Sequence, residues 1–154
     1  MGMKLLSDIQ IRQETVERLR RVRPETPRRW GRMNAPQMVC HLSDSFLSVM
    51  GDKAVEAPRG LNLWPLMKPW ALYAPFKWPP GVATRPELDA EFGGTRPVEF
   101  AADVAGLLET IDKFTRQPRT FEFRAHPMFG RLSEKDWMRW GYLHTDHHLR
   151  QFGA

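Results

Sequence analysis

Four stretches of this chain repeat apolar residues every three or four positions, and three of them begin at a side chain able to cap a helix. The first opens at Ser7, with Gln10 three residues later. It carries Ile9, Val16, Leu19 and Val22 on one side and ends near Pro24. The second opens at Asn34 with Pro36 and Gln37 in its first turn and runs to about Met50, where Gly51 stops it. The third has Pro97 in its first turn and repeats Phe100, Val104, Leu107, Ile111 and Phe114, with Glu109, Asp112 and Lys113 facing away, and it ends before Pro118. The fourth opens at Ser133 with Asp136, contains Trp137, Trp140 and Leu143, and ends around Gln151 or Phe152 ahead of Gly153. Amphipathic helices bury their stripes on one another, so an all-α chain is predicted: an antiparallel four-helix bundle with one long Pro/Trp-rich crossover, Gly51 to Thr95. At 154 residues this is one domain, 1–154.

The crossover is too long to be a simple link, and a short helical piece is expected around Trp70 to Phe76. Its stretch Leu61 to Pro80 holds Trp64, Trp70, Tyr73, Phe76 and Trp78, more aromatic surface than water tolerates. Three fates are open to it: a lid over a functional pocket, a homodimer contact, or plain core packing. The same stretch is broken by five prolines and two lysines, so no membrane span is expected there. Farther on, Thr120 to Arg124 alternates Phe121 and Phe123 on one side, as a short extended piece does.

Charge narrows the function classes. The net charge is +5, yet the fifteen residues from Arg18 to Arg32 carry seven arginines against Glu25 alone, leaving −1 for everything else. One patch at a helix end is poor footing for nucleic acid, which is not expected as a partner. The N-terminus, MGMKLLSDIQ, has too short an apolar run for a secretory signal, so a cytoplasmic location is the expectation. A single cysteine, Cys40, agrees with a reducing compartment and leaves a metal only histidine and carboxylate to bind to.

Histidine is where the chemistry concentrates, with three of five in the run His144-Thr145-Asp146-His147-His148. At about 100° per residue, His144 and His148 stand one turn apart on a single face, as two imidazoles chelating one ion do. Trp137, Gly141 and Gln151 share that face, and Gly141 is expected to leave room beside the pair. Arg139, Asp146 and Arg150 lie opposite, so the histidines point inward, where imidazoles need partners. On the second helix His41 borders the stripe Met38, Val39, Leu42, Phe46 and Val49, with the small Ser45 and Ser48 on its flank. If those helices are neighbours, His41, His144 and His148 form a three-histidine site with open coordination positions, the arrangement of catalytic zinc. Zinc or nickel suits all-imidazole ligation. Thr145 stands where an HExxH metalloprotease has glutamate. Asp44, His126, His147 and Gln151 are candidates for supporting or proton-transfer roles, and equally for ordinary structural ones. Cys40 falls about 100° round the helix from His41, off the inward face, which disfavours it as a nucleophile.

These residues resemble the DinB/YfiT-like metal-binding bundles, most closely their branch known as a domain of unknown function. The likeness rests on Trp30-Gly31-Arg32-Met33-Asn34, Pro36 to Leu42, Trp78-Pro79, Pro80-Gly81, His126-Pro127, Phe129-Gly130 and Trp137 leading to His144 to Gly153, nearly the whole chain. It implies an antiparallel four-helix bundle, often dimeric, with a divalent ion such as zinc or nickel on His41, His144 and His148. It also implies thiol-dependent transferases and isomerases as relatives, so a small-molecule substrate or a low-molecular-weight thiol is the expected partner. Two function classes follow: a metal-dependent enzyme of hydrolase or thiol S-transferase type, and a non-catalytic metal or small-ligand binding module.

Overall fold

The protein, seen in a computed structural model that describes residues 2–56 and 64–154, is all-helical, with five α-helices and no strand among the described residues. Asp8 caps α1 (Ile9–Arg21), its carboxylate accepting from the backbone N–H groups of Gln10 and Ile11 at 2.9 and 3.2 Å. The cap is thus one residue later than the expected Ser7, and the helix turns Ile9 outward, 63% exposed, while Thr15 and Leu19 are buried. The second helix, α2 (Ala35–Met50), starts on the expected capping box of Asn34 and Gln37. It stops at Gly51, whose φ of 88° lies in the left-handed region that favours glycine.

In the crossover, α3 spans Trp64–Tyr73, earlier than the Trp70 to Phe76 expected. Proline explains the shift: Pro65 suits a first turn, whereas Pro75 disfavours helical backbone at Ala74. Leu61 to Leu63, and the side chains of Trp64 and Pro65, lie outside the described residues. A 3-10 turn, Pro86–Leu88, follows. Glu99 caps α4 (Phe100–Thr115) by accepting from the N–H groups of Ala101 and Ala102, so Pro97 precedes the helix and is not part of its first turn. The last helix, α5 (Glu134–Gln151), begins on the expected Ser133–Asp136 capping box.

Packing places α2 along α4, with α5 touching α1, α2 and α3. Their shared core is aromatic: Phe46 of α2 meets Phe114 of α4 and Trp140 of α5 edge-on, at ring separations of 4.8 and 5.5 Å. Gly141 belongs to this core and leaves no room beside the histidines, because a Cβ there would stand 2.8 Å from Leu6 and 3.1 and 3.2 Å from the rings of Phe114 and Phe46. Cys40, expected off the inward face, is buried as well. Phe121 and Phe123 pack on the core as an alternating pair should, though without strand pairing, and the Arg124 N–H donates to the Val49 carbonyl at 2.8 Å.

The outer side of α5 is less open than its charges suggest. Asp146 lies between Arg18 of α1, at 2.8 Å, and Arg150, at 2.9 Å. Arg139 donates to the carbonyls of Leu72 and Lys4 at 2.9 and 3.1 Å. These bonds dock α1, α3 and the N-terminal segment onto α5, so the position of the crossover is fixed partly from the face that sequence periodicity assigns to solvent.

Candidate metal centre

Helical spacing puts His144 and His148 one turn apart on α5, and the contact of α2 with α5 brings His41 opposite them. One ring nitrogen from each of the three lies within 4.8 Å of the others, a grouping that could hold a metal ion. Within it, Nε2 of His41 and Nε2 of His144 are 3.1 Å apart. Nitrogens sharing one zinc at ~2.0–2.1 Å with tetrahedral angles stand about 3.3–3.4 Å from each other, so this spacing fits a shared ion.

Hydrogen bonds decide which nitrogens face the centre. Nδ1 of His41 lies 2.9 Å from the Leu88 carbonyl, which can only accept, so the ring donates there and Nε2 keeps its lone pair. Nδ1 of His148 lies 2.8 Å from Oε1 of Gln151. The amide of Gln151 is oriented in turn, since its Nε2 donates to the Trp30 carbonyl at 2.9 Å. Its oxygen therefore faces His148 and leaves that imidazole's Nε2 bare as well. His144 has no such orienting partner: its Nδ1 is enclosed with no hydrogen bond, and the rings of Trp140 and Trp78 hold it by packing, at 5.2 and 6.1 Å.

Burial holds the trio neutral. Desolvation lowers the pKa of His144 and His148 well below 6.5, helped by the proximity of the other imidazoles. For His41 desolvation again dominates, opposed by the bond to Leu88. Neutral imidazole is the form that binds metal, so no proton need leave these rings at neutral pH.

The supporting candidates separate. Gln151 reaches the site. His147 lies beside it, its Nδ1 facing the Trp78 carbonyl at 3.3 Å and its pKa lowered, chiefly by burial. Asp44 turns away, accepting from the Thr95 N–H and hydroxyl at 2.7 Å each and pairing with Lys53 at 3.2 Å. Its role is to tie α2 to the approach to α4. His126 occupies a pocket wall, where Nδ1 accepts from the N–H groups of Met128 and Phe129 at 3.1 and 3.2 Å. Burial pushes its pKa down to about 3. The Cys40 thiol is pushed up to about 11 by burial and the nearby Asp103 and Asp44, which suits a packing role.

Leu88, Trp30 and Trp78 enter through backbone carbonyls, which leave no mark in side-chain periodicity. Trp30 and Trp78 carry part of the family resemblance, whereas Leu88 has no signal in the sequence. A cavity of about 410 Å3 opens onto the three histidines. Met67, Trp70, Ala71, Phe76 and Trp78 form one side of it, so the aromatic crossover does wall the pocket, although Trp70 and Phe76 also remain exposed to solvent.

No curated protein and no solved structure matches this chain. The model of the family described as Protein of unknown function (DUF1569) matches residues 6–154, which takes in all five helices and all three histidines. By that match the chain belongs to the DUF1569 family.

Proposed function

We propose that the protein binds one divalent ion, zinc or nickel, through Nε2 of His41, His144 and His148, and that it works as a metal-dependent enzyme of hydrolase or thiol S-transferase type. The carrying observation is the convergence of three neutral imidazoles, two of which have their proton fixed on the far nitrogen by Leu88 and Gln151. On this reading α1, α2, α4 and α5 are the members of a DinB-like antiparallel four-helix bundle, with α3 and the rest of the crossover as its added cover.

When bound, such an ion acts as a Lewis acid and lowers the pKa of a water or thiol beside it. The remaining work falls to the chain. Leu88 and Gln151 orient two ligands, the apolar cavity limits water, and His147 is the proton acceptor, because its Nδ1 donates to Trp78 and its Nε2 stays free to take a proton. An enzyme is favoured over a storage or structural module by the cavity, since a structural site is closed by its ligands and this one opens on space for a substrate.

The test is metal content. Protein purified without chelating resin should carry close to one equivalent of zinc or nickel, and His144→Ala and His148→Ala should each lose most of it. Equal metal in wild type and both variants ends the reading. The arginines from Arg18 to Arg32 are assigned a structural role, since Arg18 pairs with Asp146 and Arg32 with Asp89 and Glu91.

A further inference from the structure

The polar groups around the cavity are largely engaged with the protein. Ser45 and Ser48 donate their hydroxyls to the carbonyls of His41 and Ser45, at 2.7 and 2.8 Å. Arg85 is shared between the Glu56 carbonyl at 2.6 Å and the Glu87 carboxylate at 3.1 Å. His126 uses Nδ1 on its own loop. Lys77 at the rim is the other charged side chain among the described lining residues. A peptide-like or sugar-like ligand carries several charges or hydroxyls that each need a buried partner, and leaving such groups unpaired is costly. Away from the histidines this wall supplies few such partners: Thr84, the Lys77 ammonium at the rim and the Nε of Arg85, which has no hydrogen bond within the protein.

What it supplies is carbon, and that carbon extends out to solvent. Met67, Trp70 and Phe76 line the cavity and yet are 48, 64 and 67% exposed. Trp70 and Phe76 lie parallel, 6.4 Å between ring centres. Together they make an apolar mouth continuous with an apolar interior, ending at histidine nitrogens. The volume, about 410 Å3, falls within the ~300–1,000 Å3 of sites that enclose drug-sized molecules.

We propose that the molecule received here is built on an apolar body, an alkyl chain or ring system, which lies against α3 and carries one polar group down to the histidines. This deepens the metal-site reading and rests on it only for the fate of that polar group. A hydrophilic thiol would gain little from these walls, so the pocket is assigned to the apolar reactant.

The experiment uses the full chain after chelator treatment, with straight-chain 1-alkanols from butanol to decanol as probes and glutathione as the hydrophilic comparison. Binding is read by calorimetry and by tryptophan emission, since Trp70, Trp78 and Trp140 all line the cavity. One-site binding is expected to tighten roughly fourfold per added methylene until the cavity is full. Glutathione should show no saturation. Ala74→Trp, which fills the pocket from its half-buried edge, should weaken decanol at least tenfold; Met67→Lys at the exposed rim decides the matter if that variant does not fold. A flat chain-length series, saturable glutathione binding without alkanol binding, or undiminished decanol affinity in the folded variant overturns the proposal. The metal reading stands or falls separately on elemental analysis of the protein before chelator treatment, so a wild type that carries no metal as purified and yet binds alkanols in graded fashion refutes that reading and leaves this one intact.

Discussion

Gln151 is the most informative residue to change, because it lies outside the cavity lining and yet fixes the proton of His148, one of the three proposed ligands. In Gln151→Leu the side-chain volume is nearly kept while two bonds vanish: Oε1 to Nδ1 of His148 at 2.8 Å, and Nε2 to the Trp30 carbonyl at 2.9 Å. Two consequences follow. The Trp30 carbonyl loses a donor, a net loss of about 1 kcal/mol for an ordinary hydrogen bond. His148 no longer has a reason to hold its proton on Nδ1. In the metal-free protein it can move that proton to Nε2 and compete with His144, whose Nε2 lies 3.1 Å from Nε2 of His41, for the lone pair that His41 keeps there; the rings of His41 and His148 are 4.8 Å apart between centres. Metal must then reverse the tautomer and leave a buried N–H unpaired. Loss of such an orienting partner weakens metal binding by about 10–100-fold, or about 1.4–2.7 kcal/mol. The assay is competition for zinc against a chromophoric chelator, with urea denaturation of the metal-free protein alongside. Gln151→Glu is the companion variant. Its carboxylate again accepts from His148 but cannot donate to Trp30, so affinity should recover while metal-free stability does not. If zinc affinity in Gln151→Leu stays within threefold of wild type, the tautomer argument is wrong, and His148 is positioned by packing alone.

Three further outcomes are expected. Acid should destabilise the protein in part through His126: its folded pKa of about 3 lies below the unfolded 6.5, so the unfolded chain takes up a proton that the folded chain refuses. Stability therefore falls as pH drops through 6.5, and His126→Asn, whose amide oxygen can accept from Met128 and Phe129, should recover up to about 2 kcal/mol at pH 5 relative to neutral pH; denaturant melts with parallel pH slopes would contradict this. Gly141→Ala gains about 1 kcal/mol of helix propensity but forces a methyl to 2.8 Å from Leu6 and 3.1 Å from Phe114, so a net loss of roughly 1 kcal/mol is expected, and a variant more stable than wild type would show that the core yields there. Duplex and single-stranded DNA should not bind tightly at physiological salt, since the arginines from Arg18 to Arg32 are partly paired within the protein; filter binding that survives 150 mM salt refutes that.

The division between what was legible in the chain and what was not follows the range of each interaction. Capping boxes act within four residues, which is why Asn34 with Gln37 and Ser133 with Asp136 mark the starts of α2 and α5 correctly. At the start of α1, Ser7 and Asp8 are neighbours of similar capping strength, which local chemistry does not separate, and Asp8 is the one that caps. At Gly141 periodicity shows which face the residue occupies but not what stands across from it. The neighbours that fill its space are Leu6, Phe46 and Phe114, from three other parts of the chain.

The same distinction applies inside the candidate metal centre. Its three histidines announce themselves through spacing, yet spacing alone leaves each imidazole free to present either nitrogen. Two groups remove that freedom, and each is anchored outside the helix whose histidine it orients. Leu88 is held on the turn after α3, and Gln151 reaches back to Trp30 in the loop before α2. The crossover therefore does more than cover the cavity. It supplies the carbonyl that points Nε2 of His41 inward, the ring that packs on His144 and the carbonyl facing His147. Four amphipathic helices could bring three histidines together without it. Without it they would not fix which atoms face one another, and that choice decides whether the cluster is a ligand set or three buried rings sharing protons.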